Sequence, residues 1–94
     1  MEKQFIVVAY DISNDKRRTR LHKKLCDFGS PVQYSVFECL LADEEINKMK
    51  KMVFKVIRKT LDHVRFYPIC GSCYKKISAT AKKPVTSEKD VYIV

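Results

Sequence analysis

Asp11 is the residue whose type and position most clearly offer chemistry. It directly follows an apolar run, Phe5 to Tyr10, and is itself followed by a short cluster of Ser, Asn and Asp. A carboxylate at the end of a buried strand could hold Mg²⁺ against a phosphate. The alternative is an Asx turn leading from the strand into a helix, which is the commoner meaning of this local pattern.

A single carboxylate is a sparse metal site, but Mg²⁺ often keeps several waters and takes only one or two protein carboxylates. A symmetric dimer repeats every residue about its axis. Two copies of Asp11 would therefore face one ion if their loop lay near that axis, and the site would exist only in the dimer.

Basic residues follow Asp11 at the start of a predicted helix, where Arg in particular suits bidentate contacts with phosphate. They are Lys16, Arg17, Arg18 and Arg20. The chain of 94 residues has 19 Lys and Arg against 11 Asp and Glu, a formal net charge of +8. A solvated helix face is the usual meaning of helix charges, but this excess of one sign favours a nucleic-acid partner.

The motif Cys70-Gly71-Ser72-Cys73 is a third candidate. One such pair supplies half of a structural zinc site, and neither His22 nor His63 stands at zinc-finger spacing from it. Ordinary thiols at a strand end are favoured over a zinc site shared by a dimer. A thioredoxin-type motif should open a helix, whereas this one follows a predicted strand. Cys26 and Cys39 fit the core.

The hydrophobic pattern predicts the elements that must position these residues. Residues 4–11 are typical of a central strand buried on both faces. Residues 15–28 predict a helix that is capped at Ser13 or Asn14 and ends at Gly29, where a helix C-terminus favours positive φ.

The middle of the chain continues the alternation of predicted strands and helices. Residues 32–41 have strong β-propensity and predict either one long strand or two short ones bent near Ser35. A second amphipathic basic helix begins at residues 42–45. Residues 64–70 predict a strand at an edge or a strand end, because Pro68 cannot donate to a sheet ladder.

The C-terminal part is polar and rich in lysine over residues 74–90, which predicts a loop or excursion. The last four residues, Val91, Tyr92, Ile93 and Val94, are strand formers that we expect to pair with an edge. If the middle stretch is two strands, the order of elements is that of an α+β, ferredoxin-like βαββαβ sandwich. Residues 1–94 would form a single domain.

Other classes of protein are excluded by composition. No apolar run approaches the roughly 18–20 residues of a membrane span, and residues 1–4 lack the features of a signal peptide. We therefore expect a cytoplasmic protein with reduced cysteines and no membrane partner. A chain of this size buries only about 60–65% of its unfolded surface, which makes association with a second copy plausible.

Taken together, several motifs resemble the CRISPR-associated protein two family, the small non-integrase subunit of the spacer-acquisition module. The resemblance is close over residues 5–40 and extends to the C-terminal segments. The motifs are Tyr10-Asp11-Ile12-Ser13, Asp15-Lys16-Arg17-Arg18, Phe28-Gly29, Val32 to Glu38, Tyr67 to Cys70 and Val91 to Val94.

This resemblance implies a homodimer in which each terminal strand, residues 91–94, is exchanged onto the partner's edge strand. It implies a metal-dependent endonuclease acting on RNA or duplex DNA, with Mg²⁺ or another divalent cation held by Asp11 of each protomer. Other residues would lie in the active or nucleic-acid-contacting region: Tyr10, Ser13, Arg17, Arg18 and Phe37.

The resemblance also implies a scaffold role, in which the dimer bridges the adaptation integrase and holds duplex prespacer DNA by its phosphates. Cleavage would be dispensable for that role. Two alternatives remain: a ribonuclease toxin of the VapD-like type, which shares the fold, and a non-catalytic RNA-binding module stabilised by zinc.

Overall fold

The computed structural model describes residues 3–79, which form four strands and three helices. In chain order the elements are β1 (Gln4–Asp11), α1 (Asp15–Leu25), β2 (Gly29–Gln33), β3 (Val36–Leu41), α2 (Asp43–Val56), β4 (His63–Ile69) and α3 (Gly71–Lys75). Within these residues no helix is long and apolar enough to cross a membrane.

The sheet is antiparallel throughout, with the strand order β2-β3-β1-β4. This arrangement confirms the predicted ferredoxin-like βαββαβ fold. The middle stretch is two strands, separated by a turn at Tyr34 and Ser35. β4 lies at an edge of the described sheet, as Pro68 requires, and β1 is central.

The core lies between one face of the sheet and the two long helices. Alternation along β1 directs Ile6 and Val8 to this face, and both are buried together with Leu21 and Leu25 of α1. From α2 the same cluster receives Ile46, Met49, Val53 and Val56. Each large apolar side chain buried in this way contributes about 1.5–3 kcal/mol to folding.

The opposite face of β1 is only half-buried at Val7 and Ala9, which corrects the prediction of a strand buried on both faces. Both long helices lie on the same face of the sheet, because the two strand–helix–strand crossovers are both right-handed. The uncovered face carries Tyr67, which is 42% exposed. Near one end of this uncovered face, the Phe5 ring is covered by the Tyr74 ring of α3, with ring centroids 4.9 Å apart.

Helix α1 begins as predicted, because the Asn14 side chain accepts a hydrogen bond from the Arg17 amide at 2.9 Å. It ends at Leu25, so the prediction that Gly29 terminates it is wrong. Gly29 instead opens β2 and does not have a positive φ. A Cβ at this position would clash with the Glu38 carbonyl oxygen and lie 2.5 Å from Cys39 Sγ. Glycine is needed here for close approach of β2 to β3.

The short helix α3 was not predicted, and it places Tyr74 and Lys75 in a helical turn where the sequence indicated a loop. The predicted excursion beyond residue 79 and the terminal strand at residues 91–94 lie outside the described residues. The predicted exchange of that strand therefore stays a prediction.

Replacement of Gly29 by Ala should destabilise the fold, because the new methyl group must displace a β3 backbone carbonyl. We expect Gly29→Ala to lower the free energy of unfolding by about 1–3 kcal/mol. Gly71→Ala is the matched control, because a Cβ at Gly71 meets nothing within 4 Å, and its effect should stay within about 0.5 kcal/mol. Urea denaturation followed by circular dichroism measures both, and equal effects would contradict the requirement for close approach.

Candidate functional site

Asp11 lies at the end of β1, where its side chain is exposed. Its direct partner across the antiparallel pair of β1 and β4 is His63. Residues opposite each other in such a pair share one face, with Cβ atoms about 4.5–5.5 Å apart. Alternation along β1 assigns this carboxylate and imidazole to the face that the long helices leave uncovered.

A groove of about 670 Å³ borders Asp11 between α1 and the turn joining β2 to β3. We call it the α1 groove. Its lining includes the cationic side chains of Arg18 and Lys23, the ring of His22, and Tyr34 on the turn. Tyr34 is 98% exposed. The α1 groove thus combines positive charge, an accessible aromatic ring and an adjacent carboxylate, which are the features that recognise a nucleic-acid backbone and base.

Tyr10 belongs to the floor of the α1 groove, since only 5% of the residue is exposed. Its hydroxyl donates to the Tyr34 carbonyl oxygen at 3.3 Å and lies 3.5 Å from His22 Nδ1. Burial raises the pKa of Tyr10, which keeps the phenol neutral. These contacts of the Tyr10 hydroxyl hold the β2–β3 turn against β1.

Phe37 is fully buried in the core and offers no surface to a ligand. Alternation along β3 turns Phe37 toward the helices, where its ring packs against those of Tyr10 and His22 below the α1 groove. Its place in the nucleic-acid-contacting region stays a prediction, in which Phe37 would act through these neighbours and not by direct contact. Tyr34, three residues earlier on the turn, is the aromatic side chain that the structure leaves accessible beside Asp11.

Arg17 forms an internal ion pair. Its Nε donates to Asp62 Oδ2 at 2.8 Å and its Nη2 donates to Oδ1 at 3.1 Å. The Asp62 side chain is inaccessible to solvent and also accepts from the Arg58 amide at 2.8 Å. Two nitrogens of Arg17 are thus occupied by Asp62, and its role as a phosphate ligand stays a prediction.

The Asp62 carboxylate is held ionised by these donors. The hydrogen bond from Arg17 is the largest cause that lowers the pKa of Asp62, and the Arg58 amide adds to it against the opposing effect of burial. Sequence reasoning did not identify Asp62, because 45 residues separate it from Arg17. No local sequence pattern indicates the pairing of Arg17 with Asp62.

The other predicted basic residues lie on α1, which carries six basic residues and one acidic one. Arg18 is half-buried, donates from Nη1 to the Ile12 carbonyl oxygen at 2.9 Å and pairs with Asp15. Lys16 and Arg20 are exposed. Ser13 is exposed in the loop that precedes the helix. Of the predicted cations, Arg18 lines the α1 groove beside Asp11, whereas Lys16 and Arg20 border a second groove along the same helix, next to Asp15.

Asp11 fits a divalent cation only as part of a pair. Among residues 3–79, no three His, Cys, Asp or Glu side chains come together as a metal-binding group. Mg²⁺ is satisfied by one or two carboxylates with waters, so an exposed Asp11 together with a second copy of it would form a suitable donor set. Imidazole suits softer metals than Mg²⁺, and His63 fits better as a neighbour of the carboxylate than as a magnesium ligand.

His63 was given no role by sequence reasoning. Its position opposite Asp11 follows from the β1–β4 register, which depends on a pairing between strands more than fifty residues apart. The only signal in the sequence is its place directly before the strand predicted over residues 64–70.

The fold and site define a ferredoxin-like α+β protein with a basic groove beside a strand-end carboxylate. The family model described as CRISPR associated protein Cas2 matches residues 4–77. The chain is 36% identical over 88 residues to a CRISPR-associated endoribonuclease Cas2 from Synechocystis sp., covering 94% of this chain and 96% of that protein. The chain belongs to the Cas2 family.

Solved structures agree with this assignment. Streptococcus pyogenes Cas2 superposes with a TM-score of 0.71 at 27% identity, covering 82% of this chain and 99% of that one. A chain of a partial Cas6-RT-Cas1–Cas2 complex has the same fold, with a TM-score of 0.72 at 22% identity, covering 89% of this chain and 92% of that one.

The Asp62 carboxylate should make stability depend on acidity. Because the folded-state pKa of Asp62 is lowered, its contribution is fully present above the ordinary Asp pKa of about 4 and is lost as pH falls through the lower folded value. We expect the urea midpoint of the wild type to fall more steeply below about pH 4 than that of Asp62→Asn. Asp27→Asn, which alters an exposed Asp, should keep the wild-type slope. Parallel profiles for wild type and Asp62→Asn would contradict this role.

Proposed function

We propose that this protein is a homodimeric subunit of CRISPR spacer acquisition that holds duplex prespacer DNA, bridges the adaptation integrase and hydrolyses phosphodiester bonds with Mg²⁺ at paired Asp11 residues. The observation that carries the proposal is the position of Asp11 at the border of the basic α1 groove. The relative from Synechocystis is named an endoribonuclease, and a solved neighbour comes from a complex that contains Cas1. Both support the proposal.

Binding of the nucleic acid would rest on α1. Its six basic residues form a continuous source of positive charge on one helix, and phosphate contacts of this kind supply most of the affinity for a duplex. Lys16 and Arg20 are exposed and can reach toward a backbone, while Tyr34 offers a stacking surface for a base at an unpaired position.

Dimerisation would complete both the fold and the site. The sheet face without helices is half-buried at Val7 and Ala9 and bears the exposed ring of Tyr67. A second copy laid on this face would bury apolar surface that a small domain otherwise leaves in water. Asp11 belongs to the same face, so the association would also bring a second carboxylate toward the first.

For hydrolysis, Asp11 would hold Mg²⁺, which polarises a phosphoryl oxygen and activates water when bound. Arg18 is better placed than Arg17 to offset developing charge, because it lines the α1 groove and its side chain is 43% exposed, against 18% for Arg17. Arg18 would have to exchange its bonds with Ile12 and Asp15 for the phosphate. His63, opposite Asp11, would orient the carboxylate or accept a proton from the attacking water. RNA and duplex DNA are both candidate substrates.

Asp11→Asn should separate catalysis from binding. We expect Mg²⁺-dependent cleavage of RNA or duplex DNA to fall by about 100-fold or more, since the amide is a poor ligand for a hard cation. Duplex affinity and recovery of the integrase in a pull-down should be unchanged. Asp27→Asn is the control and should cleave normally. Unchanged cleavage in Asp11→Asn would overturn the nuclease role, whereas failure of the wild type to recover the integrase would overturn the scaffold role.

Salt dependence should reveal the phosphate contacts of α1. The double variant Lys16→Ala/Arg20→Ala should weaken duplex binding and reduce the slope of log affinity against log salt by about 1 for each phosphate interaction that is removed. The control is Lys48→Ala/Lys51→Ala, which removes two exposed lysines from α2. Fluorescence anisotropy at several salt concentrations measures both slopes. An equal reduction in the two double variants would assign the binding to net charge and not to α1.

A further inference from the structure

The motif of Cys70 and Cys73 opens a helix, contrary to the expectation from the sequence. Cys70 is the residue that precedes α3, and Cys73 lies in the first turn. The Tyr74 amide donates to the Cys70 carbonyl oxygen at 2.8 Å and closes that turn. The motif therefore has the strand-to-helix context that a redox-active cysteine pair requires.

The two cysteines are exposed and lie on either side of one helical turn. The Ser72 hydroxyl, between them in the chain, lies 3.3 Å from Cys70 Sγ. Side chains three apart in a helical turn share one face, with Cβ atoms about 5–6 Å apart, whereas the Cβ atoms of a disulfide are about 3.5–4.5 Å apart. A disulfide between Cys70 and Cys73 therefore requires the two Cβ atoms to approach by only about 1–2 Å.

The electrostatics distinguish the two sulfurs. The hydrogen bond with Ser72 is the largest cause that lowers the pKa of Cys70 to about 7, and Cys73 adds to it. The pKa of Cys73 is raised, chiefly because of its hydrogen bond to Cys70. Near neutral pH, Cys70 is thus the nucleophile and Cys73 is the thiol that retains its proton.

We propose that Cys70 and Cys73 form a reversible thiol–disulfide pair that exchanges with low-molecular-weight disulfides of the glutathione type. In the first step the Cys70 thiolate attacks one sulfur of glutathione disulfide, forming a mixed disulfide and releasing one glutathione thiolate. Cys73 then loses its proton and attacks Cys70 Sγ, forming the internal disulfide and releasing a second glutathione thiolate. The dithiol loses two electrons and the glutathione disulfide gains them.

The surroundings of Cys70 admit such a reagent. A cavity of about 500 Å³ borders Cys70 and is also lined by Lys3, Phe5 and Tyr74. The other two cysteines are unsuited, because Cys26 is half-buried and Cys39 is buried with its pKa raised to about 12 by desolvation. In the described part of the chain, no third metal-ligating residue joins the pair, which favours a disulfide over a zinc site.

The experiment uses the full chain, equilibrated with glutathione disulfide at pH 7, quenched with acid and analysed by intact mass and peptide mapping. The wild type should lose two hydrogens with no glutathione attached, and excess reduced glutathione should reverse this. Cys73→Ser should instead retain one glutathionyl group on Cys70, because the resolving thiol is absent. Cys70→Ser should react at least about 5-fold more slowly. Cys26→Ser is the control and should behave as the wild type.

Three outcomes would overturn the proposal. The first is a wild type that keeps glutathione on Cys70 without forming the internal disulfide. The second is equal reaction rates for Cys70→Ser and Cys73→Ser. The third is stoichiometric zinc in the purified protein that is absent from Cys70→Ser, which would assign the pair to metal binding.

Discussion

The ion pair between Arg17 and Asp62 is the interaction on which the geometry of the site depends. Asp62 immediately precedes β4, and Arg17 lies in the first turn of α1. Their two hydrogen bonds, with a third from the Arg58 amide, tie the loop after α2 to the beginning of α1. Because separating the pair would leave a buried, uncompensated charge, these bonds hold the loop against α1. That position sets where β4 begins and places His63 opposite Asp11.

The pair also divides the basic residues of α1 into two groups. Arg17 stabilises the protein from within, whereas Lys16 and Arg20 remain exposed. A structural ion pair near the candidate metal site thus positions the surrounding elements, and the solvent-facing cations stay available for phosphates. The two roles separate because a guanidinium held bidentately by a buried carboxylate has few donors left for an outside ligand.

Local patterns predicted much of the scaffold. Asn14 as a helix cap, the two long helices and the edge position of β4 all follow from short-range physics, namely capping, apolar periodicity and the missing donor of Pro68. The same short-range reasoning wrongly predicted that Gly29 ends α1. Its requirement is close approach to β3 and not a turn, and contact with a strand formed later in the chain leaves no local signal.

The sequence by itself determined the alternation of strands and helices, the excess of positive charge and the carboxylate after the first strand, because each depends on residues close together in the chain. The division of residues 32–41 into two strands was left open by the residue pattern and is seen in the fold. The tertiary structure decided which of those residues reach a ligand. It buried Phe37, engaged Arg17, exposed Tyr34 and set His63 opposite Asp11. Burial, ion pairing and strand register join residues that are far apart in sequence, so only the folded chain specifies them.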